Sequence, residues 1–229
     1  MRIPGQYRDE MRRLALFFPF LLPGLFGQTP AVPYDPIVGP TFTNRQFRFQ
    51  YPGSYPSLRN MNFRDFTFFQ NFDAEGKPAG SVALKNGHFG HDEPGDRYLV
   101  DLESTYYLGS SAPLHQESAL VLFSWFAAGG SSSQGGIAQV FTLSDGHLRV
   151  TQEMNWDTHF PTVQPTDSFD ASTRTLLFRS AHYMPGDARC CVSAMDVVTL
   201  KWDGTRFVQT GLQTEPSEYG KGQGKKLLR

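Results

Sequence analysis

The sequence predicts a mainly β protein, an antiparallel sheet that is either a sandwich or strongly curled, with limited helix; an α+β arrangement is the alternative. Three observations predict it. Among 229 residues, 20 Phe, 9 Tyr and 3 Trp supply bulky sheet formers, while 22 Gly and 16 Pro supply turns and break long helices. Three pairs, Asn86-Gly87, Asp145-Gly146 and Asp203-Gly204, stand between apolar stretches, as tight hairpin turns do. No segment reads as a long, well-capped amphipathic helix, and the best helical alternatives are Leu58 to Phe69 and Glu117 to Phe126.

The N-terminus has the layout of a secretory signal peptide. Arg12 and Arg13, with Arg2 and Arg8 upstream, form a positive region; Leu14 to Phe26 is nearly uninterrupted apolar sequence; Gly27 supplies a small residue before Gln28. A spanning helix needs about 20 apolar residues, and Pro19 and Pro23 interrupt this run, so an N-terminal membrane anchor is the alternative rather than the first expectation. Met11 offers a second start that would leave a compact signal. The expected organisation is a signal peptide at 1–27, a Pro-rich leader with a first strand at 28–60, a single β-rich domain at 61–211, and a polar tail at 212–229. The net charge is −1, and the short basic cluster Lys221, Lys225, Lys226 and Arg229 reads as a solvated end. Nothing here forms the basic stripe that a nucleic-acid partner requires.

Within the leader, Gln46 to Tyr51 alternates polar and aromatic residues, which puts Phe47, Phe49 and Tyr51 on one face of a strand. The dense run Phe63, Phe66, Phe68, Phe69 and Phe72 fits neither period cleanly and leaves a bulged strand or a short helix open. Ser81 to Leu84 leads into the Asn86-Gly87 turn. Tyr98 to Tyr107 reads as a strand ended by Gly109 and Ser110. Ala119 to Ala128, the most apolar segment after the signal, reads as a central strand buried on both faces, followed by a GGSSSQGG loop. Ile137 to Leu143 and Leu148 to Met154, joined by Asp145-Gly146, must be antiparallel neighbours. Asp157 to Thr173 is polar and turn-rich, Thr173 to Phe178 resumes a strand, and Val197 to Trp202 with Thr205 to Gln209 forms the closing hairpin.

Three stretches carry a resemblance: VLFSWFAAGGSSSQGGIAQVFTLSDGHL, HYMPGDARCC and LKWDGTRFV. Their order resembles a group of exported bacterial proteins with a Gly-rich loop, a Cys-Cys loop and a closing Trp-Asp-Gly hairpin, over roughly Lys85 to Gly211. In that group an acidic Asp-Leu-Thr-Gly-Asp-Gly loop precedes the buried strand and Pro-Thr follows the cysteines. This chain has Tyr107 to Leu114 in the first place and Val192-Ser193 in the second. The resemblance implies export; it carries over no activity and no cation site.

Candidate chemistry sits in four places. Cys190 and Cys191 are the only cysteines, and an exported location permits a disulfide between them, although adjacent Cα atoms about 3.8 Å apart lie below the preferred disulfide separation. A vicinal disulfide that locks the loop is preferred over two reduced or packed thiols and over intermolecular or catalytic use. His182, Asp187 and Cys191 supply the residue types of a relay with a nucleophile, against ordinary turn and capping roles. His88 and His91, with Asp92 and Glu93, are ligand-like residues in a Gly-rich turn, but in an extended chain the two imidazoles would face opposite ways. Paired carboxylates for sugar hydrolysis could come from Asp157, Asp167 and Asp170 around His159, as could any polar loop. Tyr107 and Trp156 are the aromatic residues expected at a binding surface.

The expected function is an exported, non-enzymatic domain with a loop-borne interaction role at or outside the cell envelope, in the periplasm or extracellular. Its partner would be an envelope or extracellular protein, a peptide or a glycan, with no cofactor, no metal, no nucleic acid, and no stable membrane insertion after signal cleavage. A hydrolase built from distant His, Asp and Cys residues and a small-ligand carrier are the alternatives.

Overall fold

The computed structural model describes residues 39–93, 96–111, 116–128, 132–158, 168–187 and 192–217, all within the unit Pro36–Arg229. The signal-like segment and the basic tail lie outside them. The described residues form β1 Gly39–Pro40, β2 Thr43–Gln50, β3 Thr67–Phe72, β4 Pro78–Ala83, β5 His88–Glu93, β6 Asp96–Ser111 and β7 Gln116–Ala128. They continue as β8 Ser132–Ser144, β9 His147–Asp157, β10 Ser168–Asp170, β11 Thr175–Tyr183, β12 Ala194–Trp202 and β13 Phe207–Pro216. Two single 3-10 turns, Leu58–Asn60 and Phe63–Asp65, complete the elements. The protein is mainly β, almost without helix, and its antiparallel sheet is strongly curled.

Six strands pair in the order β2-β9-β8-β7-β6-β5, and a second sheet runs β1-β11-β12-β13 with β10 also on β11. The segment expected to be buried on both faces is the middle of the larger sheet. Alternation along β7 sends Ala119, Val121 and Phe123 into one core and Leu120 and Leu122 into another. The first core lies under the β3–β4 hairpin and the 3-10 turns, where Leu58, Phe63, Phe68 and Phe72 are buried. The second is filled from the smaller sheet by Leu176, Phe178, Val198, Leu200, Trp202 and Phe207. Both faces of β7 and β8 are therefore closed, which explains a run with no polar alternation.

Bulges curl the larger sheet and decide which core each side chain enters. Glu103 and Leu108 are extra residues in β6, and Thr151 is extra in β9. Before Thr151, Leu148 and Val150 face the first core; after it, Met154 and Trp156 face the second although the numbering parity is the same. Gly109, expected to end β6, instead continues it at φ 106 beside the Leu108 bulge. The Phe-rich run divides: Phe63–Asp65 is a single 3-10 turn, and β3 is a strand paired to β4 in one register, without the bulge that the sequence left open. Phe47, Phe49 and Tyr51 pack together on the first core. Neither helical alternative forms, since Glu117 to Phe126 is strand and Leu58 to Phe69 breaks into the two short turns and β3.

Gln152, buried in the second core, joins the two sheets. Its Nε2 donates to the Phe207 carbonyl at 2.8 Å and its Oε1 accepts the Phe207 N–H at 2.8 Å, so the amide acts as a short piece of strand at the start of β13. That strand begins at Phe207, opposite Trp202, while Thr205 and Arg206 belong to the turn capped by Asp203; it runs on to Pro216, beyond the expected boundary at Gly211. The Asp145-Gly146 turn has both residues at positive φ, 52 and 76. A Cβ on Gly146 would lie 2.8 Å from Ser54 Oγ. Gly146→Ala is therefore expected to lower stability by about 1 kcal/mol or more, read as a lower urea midpoint with unchanged slope; an unchanged midpoint would contradict this register of the turn.

Candidate functional site

β5 holds His88 and His91 in an edge strand rather than in the polar turn expected, because the Asn86-Gly87 turn passes directly into pairing with β6. Their spacing then sends the rings to opposite faces. His88 Nδ1 lies 2.7 Å from Asp101 Oδ1 and His91 Nε2 lies 3.7 Å from Asp96 Oδ2, each across the strand pair. Among the described residues no group of three or more His, Cys, Asp or Glu is placed to hold a metal ion.

Cys190 and Cys191 lie outside the described residues. His182 is on β11, and its orienting partner is not Asp187, as the sequence spacing suggested, but Asp196 on β12, with Nδ1 to Oδ2 at 2.8 Å. The reason is register: Ser180 pairs with Asp196, so His182 stands on the same face two residues along. Asp196 is 1% exposed and its other oxygen accepts the Thr214 hydroxyl at 2.6 Å. Asp187 closes the following turn instead, accepting the N–H of Met184 at 2.8 Å and both the N–H and hydroxyl of Ser193 at 3.0 and 2.8 Å. Burial opposes its charge, but these donors, with His182 nearby, hold the Asp187 carboxyl below the ordinary range.

Trp156 is a core residue, 1% exposed and stacked on Phe178 with ring centroids 4.2 Å apart, which corrects its expected place on a binding surface. Its polar neighbours in sequence face the other side of β9, and the Thr151 bulge turns the indole inward. Tyr107 is 39% exposed, donates its hydroxyl to the Leu58 carbonyl at 3.1 Å and lies under the Arg59 guanidinium at 5.1 Å. Of the loop carboxylates, Asp170 is held at about 2 by the hydroxyls and N–H groups of Ser172 and Thr173, which makes it a turn cap. His159 and Asp167 lie outside the described residues.

The structure brings together a site that the sequence did not show. Thr41, Thr43, Arg45, Asn71, Glu153 and Asn155 line an open cleft of about 230 Å³ where the β1–β2 link and the β3–β4 hairpin meet the edge of the larger sheet. Asn71 lies within β3, between the Gln70–Gly80 and Phe72–Pro78 pairs of an unshifted register, and adopts φ 56. Its Oδ1 accepts Asn155 Nδ2 at 3.1 Å. Glu153, 4% exposed, accepts the Phe72 N–H at 3.3 Å on one oxygen and Gln139 Nε2 at 2.7 Å on the other. Burial raises its carboxyl above the ordinary value, opposed by the Gln139 amide, the Phe72 and Asn71 N–H groups and the Arg45 charge. Arg45 Nη1 donates to the Phe72 carbonyl at 2.6 Å. By contrast, the void beneath Gln139, lined by Phe68, Val82, Val100, Phe123 and Ile137, measures about 10 Å³, room for about one water.

No protein-family model, curated protein or solved structure significantly matches this chain.

Proposed function

We propose that this chain is an exported, non-enzymatic binding domain that meets its ligand at or outside the cell envelope, through the cleft between the β1–β2 link, Asn71 on β3 and the strands β2 and β9. The observation that carries the reading is the cleft itself: an open, polar concavity whose walls are rigid strands and whose one irregular residue, Asn71, sits in left-handed conformation. Recognition groups on a rigid scaffold are what a binding module requires. Export draws support from Arg12, Arg13, the apolar stretch to Phe26 and Gly27. No helix among the described residues is long and apolar enough to cross a membrane.

Expression of the full chain in a bacterium, followed by fractionation and N-terminal sequencing, tests the export half. The product should begin near Gln28 and be recovered from periplasm or medium. A membrane-bound product that keeps Phe17–Phe26 would replace release by anchoring. A hydrolase reading has one specific observation in its favour, the His182–Asp196 pair, since Asp196 fixes one ring nitrogen and leaves the other to act as a base. Turnover of simple esters or amides that disappears in His182→Gln would favour that reading over the binding one.

A further inference from the structure

We propose that the cleft binds a vicinal diol of a saccharide ring, and that Asn71 and Asn155 are the residues that select it. This rests on the binding-domain reading above. A volume of about 230 Å³ is below the range of about 300–1,000 Å³ typical of drug-sized sites, so the occupant is the size of one ring. The cleft's two opposite charges are already engaged by the protein. Glu153 is held by Phe72 and Gln139, and an Arg45 nitrogen is held by the Phe72 carbonyl. The Thr41 hydroxyl is likewise engaged, by the Asp157 and Ala181 carbonyls and Ser180, so the groups that address a ligand are mainly the neutral amides of Asn71 and Asn155, which suits a neutral, polyhydroxylated molecule better than a zwitterion or an anion.

The two asparagines give the cleft its pattern. With Asn155 Nδ2 donating to Asn71 Oδ1, the remaining atoms are Asn71 Nδ2, a donor, and Asn155 Oδ1, an acceptor. Exchanging O and N in both amides still leaves one donor and one acceptor side by side. Adjacent hydroxyls can answer both at once, one accepting and its neighbour donating. Independently, Asn71 is the only non-glycine residue at positive φ within a strand interior among the described residues; the others lie in turns. A left-handed residue inside a pairing strand, here one residue before the end of β3, is a cost that a function can explain, and it places the amide against Asn155.

Titration of the ¹⁵N-labelled protein with glucose, galactose, mannose and N-acetylglucosamine, following side-chain and backbone amide shifts, tests the proposal. At least one sugar should move Asn71 and Asn155 with about millimolar affinity, and 1,3-propanediol, which lacks adjacent hydroxyls, should not. Asn71→Gly keeps the left-handed backbone and removes the amide; it and Asn155→Ala should each weaken binding about tenfold while leaving the thermal midpoint within a few degrees. Sugar shifts confined to other surfaces, or unaffected by both variants, overturn the proposal. If sugars are silent and alanyl-alanine moves Asn71 and Asn155, the saccharide assignment fails and the binding-domain reading stands. If neither probe moves them, both fail.

Discussion

Trp156→Ala is expected to lower stability by about 3–5 kcal/mol, the cost of removing the largest buried aromatic side chains. Trp156 is 1% exposed and lies face to face with Phe178, so its indole joins the larger sheet to the smaller one. Its place is prepared by glycine. Gly136 is opposite Trp156 in the β8–β9 pairing, and a Cβ there would fall inside the indole ring; Gly135 on the other face would likewise meet Trp125. A bare backbone at two successive strand positions thus lets a tryptophan lie on each face. Gly136→Ala is accordingly expected to cost about 1–3 kcal/mol by overpacking, and that cost should nearly vanish in a Trp156→Ala background, because the two residues occupy one space. Trp156 Nε1 has no acceptor among the described residues, so Trp156→Phe should be much milder than the alanine change. Denaturant unfolding followed by far-ultraviolet circular dichroism reads the wild type and the four variants. Additive single and double effects would show that Gly136 and Trp156 are not packed against each other.

The same two glycines show where the sequence was legible and where it was not. GGSSSQGG reads as a loop by composition, yet its last five residues, Ser132 to Gly136, are strand, because tertiary packing by distant tryptophans on Gly135 and Gly136 overrides the local turn preference of glycine. The Asn86-Gly87 and Asp145-Gly146 turns, the doubly buried β7 and the Phe47-Phe49-Tyr51 stripe follow from local period and backbone preference and are where those rules put them, whereas the Asp203-Gly204 turn is longer than expected and takes in Thr205 and Arg206. His182 was legible as a residue type but not by partner, since Asp196 reaches it across a strand pairing whose register no local signal sets. The cleft was hidden for the same reason. Counted outward from Asp145-Gly146, Gln139 would stand opposite Gln152; the extra residue Thr151 moves it opposite Glu153 instead. One bulge therefore creates the buried amide–carboxylate pair, and nothing in the run Val150 to Met154 announces a bulge.

That pair leads to a second large effect. Glu153→Ala is expected to cost about 2–4 kcal/mol, because the Phe72 N–H and the Gln139 amide would remain buried with an acceptor removed. The ionisation of Glu153 gives a signature that simple loss of packing does not. Its folded-state carboxyl lies above the ordinary value, mainly through burial, so the folded protein holds this proton more tightly than the unfolded chain does. The group's contribution to stability is then fully present below the unfolded value and is lost as pH rises through the folded one. Asp65, Asp170, Asp187 and Asp203 are all held below the ordinary aspartate value and act in the opposite sense at lower pH, gaining stability as pH rises. These carboxylates are shared by wild type and Glu153→Gln, so they cancel when the two are compared. The stability of wild type relative to Glu153→Gln should therefore fall as pH is raised from about 4.5 towards neutrality, whatever the absolute curves do. Urea melts of both proteins at half-unit intervals of pH measure it. A difference that is flat, or that grows with pH, would mean that the Gln139 amide and the Phe72 N–H stabilise the carboxylate more than burial penalises it, and that the floor of the cleft carries a charge tuned for a cationic ligand instead of a neutral one.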